Sequence, residues 1–477
     1  MGLRPARSKQ GKQPQGILPF EYDPTGEVDE VTARAGLPLF LETLRALHVD
    51  RVLGEQVKVR KRQSGMDEVE HAEALMLLLA SGGECLEDLS ILGADKGLLH
   101  LLQKEKLPSP DAARQYLLAF HDEELIAKAR ANMAPDELSL IVPESEPLLG
   151  LSRVVTHVVK RMQQLRPSEI ATLEADATII ESHKQEAQPH YKGGRGYQPV
   201  VVYWVEHDLV VADQFRDGNV PAGKQPLEPI QRGFAAVPGE VKRRRFRGDS
   251  ACYEEKTLKW LHDPENRIER FTISADMTKE LRACCEKVSE WKTYEERADE
   301  VVSWSEVEFF PGNWVKSAQP LRTIVLKIQK RQGEFFANGS DHKYLGIVSN
   351  DFAEDGTTLI RWHYKKAGHI EVVHDVIKNE LGGGVLPSGT FGANAAWFRF
   401  SLLTYNIMSA MKTLALPPEF GDARPKRLRF SVFTLPARIL SHARQIYARL
   451  AQLLCDKAKL IAGRSILREI MYRPAPA

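Results

Sequence analysis

The spacing of apolar residues turns from helical to strand-like near residue 166, and that change limits the possible fold more than any other feature. Before it, Ala72, Leu75, Met76 and Leu79, then Leu86, Leu89 and Leu92, recur at helical intervals, and 147–165 continues in the same style. After it, 171–180, 199–205, 209–216, 242–249 and 267–274 form short runs rich in Val, Ile, Tyr and Phe, the pattern of strands. Helical stretches at 226–234, 253–261 and 278–289 alternate with them. Such alternation predicts an α/β domain on a mixed sheet, preceded by a helical region. From about 291 to 355 the helices give way to short alternating runs broken at Pro311-Gly312-Asn313 and Asn338-Gly339, which predicts an antiparallel β module inserted into that domain. Long helices are expected at 361–381 and 394–414, and further helices after a Pro-rich break at 416–425.

Charge is distributed unevenly. From Arg424 onward twelve Lys or Arg face only Asp456 and Glu469, a balance of +10, so the preceding residues carry −9 of the net +1. A concentrated basic region suits contact with phosphate, and a solvated helix face accounts for the same residues. Arg4, Arg7, Lys9 and Lys12 among Pro, Gly and Gln predict a flexible basic arm. The five cysteines form neither a disulfide framework nor a CxxC metal spacing, which fits a reducing, cytoplasmic setting. No apolar run approaches bilayer length. In the helical region, Ser109 and Pro110 predict a helix start ahead of Arg114, Gln115 and Tyr116. These helices suit a helix-turn-helix DNA reader, or equally a small bundle with no DNA role. Lys192-Gly-Gly-Arg-Gly196 precedes a strand and reads as a tight turn with a basic tip rather than a phosphate-binding loop.

Three acids stand out against this layout. Asp176 closes an apolar strand, Asp249 ends the basic run Val241-Lys-Arg-Arg-Arg-Phe-Arg-Gly-Asp249, and Glu371 lies in a helical segment. Carboxylates drawn from separate regions are what a pair of hard divalent ions requires, and two such ions can promote in-line displacement at phosphorus. Among 64 acidic residues, three can always be chosen, so chemistry alone leaves the set as one candidate. His363, His369 and His374 surround Glu371; without a full ligand set they predict exposed or DNA-facing donors rather than zinc ligands.

The local words narrow the choice. Tyr364, Glu371 and Lys378 fall on the spacing Tyr, two residues, Arg, three residues, Glu, six residues, Lys, with Ala367 standing where the Arg belongs. Asp176-Ala-Thr178, Arg195-Gly-Tyr197-Gln-Pro199, Phe246-Arg-Gly-Asp249-Ser250 and Phe433-Thr-Leu-Pro436-Ala-Arg438 add to it. In these words and in the order strand-Asp, strand-Asp, β insertion, helix-Glu, the chain resembles the DDE transposases of bacterial insertion sequences over roughly 171–444.

That resemblance implies an RNase H-like catalytic domain in two parts, 166–290 and 357–415, split by an inserted antiparallel β module at 291–356. A basic arm at 1–30, a helical DNA-binding domain at 31–165 and a basic C-terminal helical region at 416–477 complete the expected organisation. It implies that Asp176, Asp249 and Glu371 hold two Mg²⁺ ions, with Mn²⁺ able to substitute, and that cleavage at the ends of an element frees a 3′-hydroxyl that attacks target DNA. Tyr364 and Lys378 would grip DNA beside the cut, with Arg361, Lys365 or Lys366 replacing the missing arginine. Arg243, Arg245, Arg247 and Arg114 are further DNA-binding candidates. Trp304 and Trp314 are candidates for stacking on a flipped base, core packing being the other reading of a Trp in a β module. The implied partners are the element's inverted-repeat ends, target DNA and a second copy of the chain; the implied location is the bacterial cytoplasm, at the nucleoid when DNA is bound. An RNase H-like nuclease without strand transfer, and a non-catalytic DNA-binding relative, are alternatives that the residues leave open.

Overall fold

The computed structural model describes residues 30–59, 65–310, 320–331, 335–337, 339–442, 445–451 and 454–472. The N-terminal arm, apart from Glu30, and Trp314 lie outside the described residues. The expected mixed α/β class is present. Nine strands make one sheet: β1 (Ile170–Ala177), β2 (Val200–Trp204), β3 (Leu209–Gln214), β4 (Arg243–Gly248), β5 (Ile268–Ala275), β6 (Lys292–Glu296), β7 (Glu300–Val307), β8 (Arg322–Lys330) and β9 (His342–Ser349). Their order is β6-β7-β8-β9-β5-β4-β1-β2-β3. β2 runs antiparallel to both of its neighbours, β1 and β3, whereas β4 lies parallel to β1 and β5 parallel to β4. The predicted β module is β6 to β9, and it extends the main sheet because β9 pairs antiparallel with β5. Ala171 to Ala175 of β1 are all buried, as a strand covered on both faces requires.

The helices that matter for the site are α1 (Glu68–Ser81), α2 (Pro110–Leu118), α3 (Glu146–Leu165), α4 (Leu227–Ala236), α5 (Glu255–His262), α6 (Gly356–Tyr364), α7 (Ile370–Glu380), α8 (Phe391–Ala415) and α9 (Leu454–Tyr472). Ser109 caps α2 as expected, its hydroxyl accepting from Ala112 N–H at 3.2 Å. α8 is buried along most of its length because its apolar residues occur all round it. Its Asn406 accepts from Val210 N–H and donates to Val210 C=O, both at 2.8 Å, which satisfies a buried rung of the edge strand β3 that faces away from β2. Arg399, wholly buried, reaches Asp213 of β3 at 2.7 Å and Glu144 ahead of α3 at 2.6 Å. One hydrophobic cluster runs from Leu37 to Ile470, so the N-terminal helices, the sheet and α9 share a core. No helix among the described residues is long and apolar enough to cross a membrane.

Two elements depart from expectation. The helix predicted over 361–381 is broken: α6 ends at Tyr364, a 3-10 turn occupies Lys365–Gly368, and α7 restarts at Ile370. His369, at φ −114° and ψ −83°, makes the corner, and buried charges from the sheet, described below, take up the backbone groups that the break frees. The C-terminal region contains a hairpin, β10 (Ala437–His442) with β11 (Gln445–Leu450), as well as helix. The short strand Val31–Thr32 pairs with β10, a long-range partnership that helical periodicity in the tail could not reveal.

Candidate functional site

β1 and β4 are adjacent and parallel, with Ala175 opposite Gly248, so the next residues of both strands emerge at the same, carboxyl end of the sheet. Asp176 stands there on β1. Asp249 follows β4 directly and accepts from Ala251 N–H at 3.1 Å to start a single 3-10 turn. Crevices outside the carboxyl ends of such strands are where α/β sheets hold ligands. The Asp176 and Asp249 carboxyl groups interact directly, and both have raised pKa values. Burial is the main cause for each; the Asp176 charge adds to the rise at Asp249, and the Glu371 charge adds to that at Asp176. Lys366 opposes both shifts.

Glu371 lies exposed in the first turn of α7, within electrostatic reach of Asp176. The three predicted acids therefore converge on one end of the sheet. They do not form a closed cage: among the described residues, no group of three or more His, Cys, Asp or Glu is close enough to hold a metal ion. The chemistry of the dyad nevertheless fits a divalent cation. Two adjacent carboxylates repel each other, and the sole ion-pair contact to either is His374 Nε2, 3.8 Å from Asp176, among the described residues. Burial drives the His374 imidazole down to about 3, so it is neutral at physiological pH, and neither ring nitrogen has a hydrogen-bond partner. A hard cation with oxygen ligands would supply the missing positive charge.

The remaining candidates separate by environment. Lys366 sits on the 3-10 turn and its side chain makes no hydrogen bond or ion pair with another described residue, whereas Tyr364, Lys365 and Arg361 are exposed beside it. Lys378 donates to Ile179 C=O at 2.8 Å and Thr178 Oγ1 at 3.3 Å, tying the far end of α7 to the segment after Asp176. Beside it lies a cavity of about 590 Å³ lined by Thr178, Glu181, Tyr191, Lys192, Gln198 and Lys378. Arg114, on α2, pairs with Glu87 at 2.7 Å and Asp111 at 2.5 Å.

Several expectations are corrected. Arg243, Arg245 and Arg247 share one face of β4 by the two-residue period, but that face runs from solvent to interior. Arg243 and Arg245 pair with Glu269 near the open end, while Arg247 is 2% exposed and pairs with Glu174, so it is unavailable to phosphate. Trp304 is buried at 2% among Val302, Ile324, Leu326, Leu359 and Ile360, with Lys292 Nζ 4.8 Å from its ring centre, and packs the β module against α6 rather than presenting a free face. His363 and His374 are buried, not exposed; His363 bonds Thr272 Oγ1 at 2.9 Å and Ser274 Oγ at 3.0 Å on β5.

Sequence reasoning overlooked Glu174, which is fully buried. Its signal was available: a carboxylate two residues before Asp176 in an otherwise apolar strand needs a buried partner.

The family model described as transposase DDE domain group 1 matches residues 22–471. No curated protein sequence matches the chain. A solved structure, the piggyBac transposase synaptic complex with hairpin DNA, aligns at 10% identity over 94% of this chain and 85% of that one, with a TM-score of 0.47.

Proposed function

From the premise that this chain belongs to the transposase DDE domain group 1 family, and is a DNA transposase, we propose that it binds the inverted-repeat ends of its element, cleaves them and joins them to target DNA. The observation that carries the reading is the half-buried Asp176–Asp249 carboxyl pair at the ends of adjacent parallel strands, with Glu371 in electrostatic reach. The three-antiparallel, two-parallel order of β3-β2-β1-β4-β5 supports an RNase H-like catalytic domain.

Asp176, Asp249 and Glu371 would hold Mg²⁺, or Mn²⁺ in its place. When bound, such ions activate an attacking oxygen and stabilise the leaving one at phosphorus. The chain's own groups do the rest. Lys366, unpaired and close enough to lower both aspartates, is placed to contact the phosphate next to the cut, and takes the part expected of the arginine absent at Ala367. Tyr364, Lys365 and Arg361 flank it on the exposed side, and Lys192 and Lys378 line the cavity along which the strand continues. His374, neutral and buried beside Asp176, excludes water from the back of the dyad. No side chain need act as nucleophile; Cys252, next to the dyad, is buried, and its thiol is pushed far above the physiological range. Residues 31–165 would recognise end DNA, and a pair of chains would bring two ends together in the bacterial cytoplasm.

The test is incubation of the protein with Mg²⁺, labelled end DNA and a plasmid target. Joined products are expected. Hydrolysis without joining would make the protein a nuclease, and end binding without hydrolysis would make it a non-catalytic relative.

A further inference from the structure

Each of the three acids is preceded, two residues earlier, by a residue of one hydrogen-bonded cluster. Glu174 precedes Asp176, Arg247 precedes Asp249 and His369 precedes Glu371. Glu174 and Arg247 are register partners on β1 and β4, and their side chains form an ion pair, 0% and 2% exposed. His369 Nδ1 lies 3.2 Å from Glu174 Oε1 and 3.1 Å from Arg247 Nη2. The second Glu174 oxygen accepts from Ile370 N–H at 3.3 Å, and Arg247 Nη1 donates to Trp362 C=O at 2.6 Å. The Arg247 guanidinium also lies 5.0 Å from the Trp362 ring centre.

We infer that Glu174, Arg247 and His369 are positioning residues: a clamp that sets the distance from the Asp176–Asp249 pair to Glu371 and so tunes the site's affinity for a divalent cation. The inference rests on the transposase reading for the role of the acids. It stands on geometry that local sequence opposes. Residues 361–381 carry a continuous helical pattern, yet the helix is interrupted at Lys365–His369. Arg247 takes the carbonyl of Trp362 ahead of the interruption, and Glu174 takes the first free N–H after it. A carboxylate at a helix N-terminus meets both the unsatisfied N–H groups and the positive end of the helix dipole. Glu174 thereby fixes the start of α7 at Ile370, which puts Glu371 in the first turn. Because Glu174 is on the strand of one aspartate and Arg247 on that of the other, the three acids are referred to one buried origin. A buried ion pair contributes little net stability compared with an apolar pair of the same shape, so packing alone does not account for charged residues here.

The test measures Mn²⁺ binding to the full-length protein by the electron paramagnetic resonance signal of free Mn²⁺, alongside thermal unfolding and metal-free binding to end DNA. The double variant Glu174→Gln with Arg247→Met removes both charges together. His369→Ala, at a position 34% exposed, is a milder second variant that keeps the ion pair. Both are expected to bind end DNA as the wild type does and to lose about 10–100-fold in Mn²⁺ affinity, the range found when groups orienting metal ligands are removed. Cleavage is expected to recover as Mn²⁺ is raised. Unchanged Mn²⁺ affinity in either folded variant overturns the clamp, as does lowered unfolding temperature as the sole effect. If the wild type binds Mn²⁺ in an Asp176-dependent way but neither cuts nor joins DNA, the transposase reading fails while the clamp is still decided by affinity. Absence of Asp176-dependent binding in the wild type overturns the clamp as well.

Discussion

The ring of Trp304 occupies the space where a side chain of Gly356 would begin: a Cβ at Gly356 would stand 2.2 Å from Cη2 and 2.3 Å from Cζ3 of the indole. The inserted β module is thus locked to the first residue of α6, the helix that leads to the third acid. Gly356→Ala is expected to cost about 1–3 kcal/mol through overpacking, and Trp304→Ala about 3–5 kcal/mol through loss of a buried aromatic. Denaturant unfolding measures both. End-DNA affinity per folded molecule should be unchanged in Trp304→Ala; a selective loss of affinity would restore the base-stacking role.

Asp176→Asn, Asp249→Asn and Glu371→Gln are each expected to reduce end cleavage by more than about 100-fold, the scale of losing one strong electrostatic contact to a transition state. End binding should persist. Burial raises both aspartates, with the Glu371 charge adding to the rise at Asp176 and the Asp176 charge to that at Asp249, so neutralising either one relieves a strain and should not lower the unfolding temperature. Normal cleavage by any one variant would remove that residue from the site.

Lys366→Met should weaken end binding and flatten its salt dependence by about one unit in the log–log slope, as expected for one lost phosphate contact. Filter binding between 50 and 200 mM salt, on the order of the range where such slopes are read, makes the comparison. An unaltered slope would show that its ammonium does not meet DNA.

Burial raises the Asp217 carboxyl to about 6 from 3.8. The folded state then holds a proton that the unfolded state releases, so stability falls as pH rises from about 4 to about 6. Asp217→Asn should abolish that fall and leave the protein more stable at pH 7, by at most ~3 kcal/mol at 1.36 kcal/mol per pKa unit. Chemical denaturation at pH 4 and pH 7 checks it; a variant with the wild-type pH profile would assign the fall to other groups.

Much of this architecture was legible from residue order. Runs of β-branched and aromatic residues marked β1 to β5 and two-residue alternation marked the β module, because local patterning follows from which face of an element is buried, while the Tyr364, Glu371, Lys378 spacing singled out the third acid through the family resemblance. Arg243, Arg245 and Arg247 look alike in sequence, and nothing local distinguishes the one that α6 and α7 cover. Trp304 was equally ambiguous, since an indole suits a stacking platform and a core alike.

By itself the sequence determined the α/β alternation, the succession of the acids and the family to which they point. Only the tertiary structure decided that Asp176 and Asp249 touch, that Arg247 turns inward to Glu174, and that the helical run over 361–381 breaks where those charges meet it. The physical reason is range. Periodicity is a property of neighbours along the chain, whereas a buried charge must be neutralised by whatever packing brings to it from elsewhere.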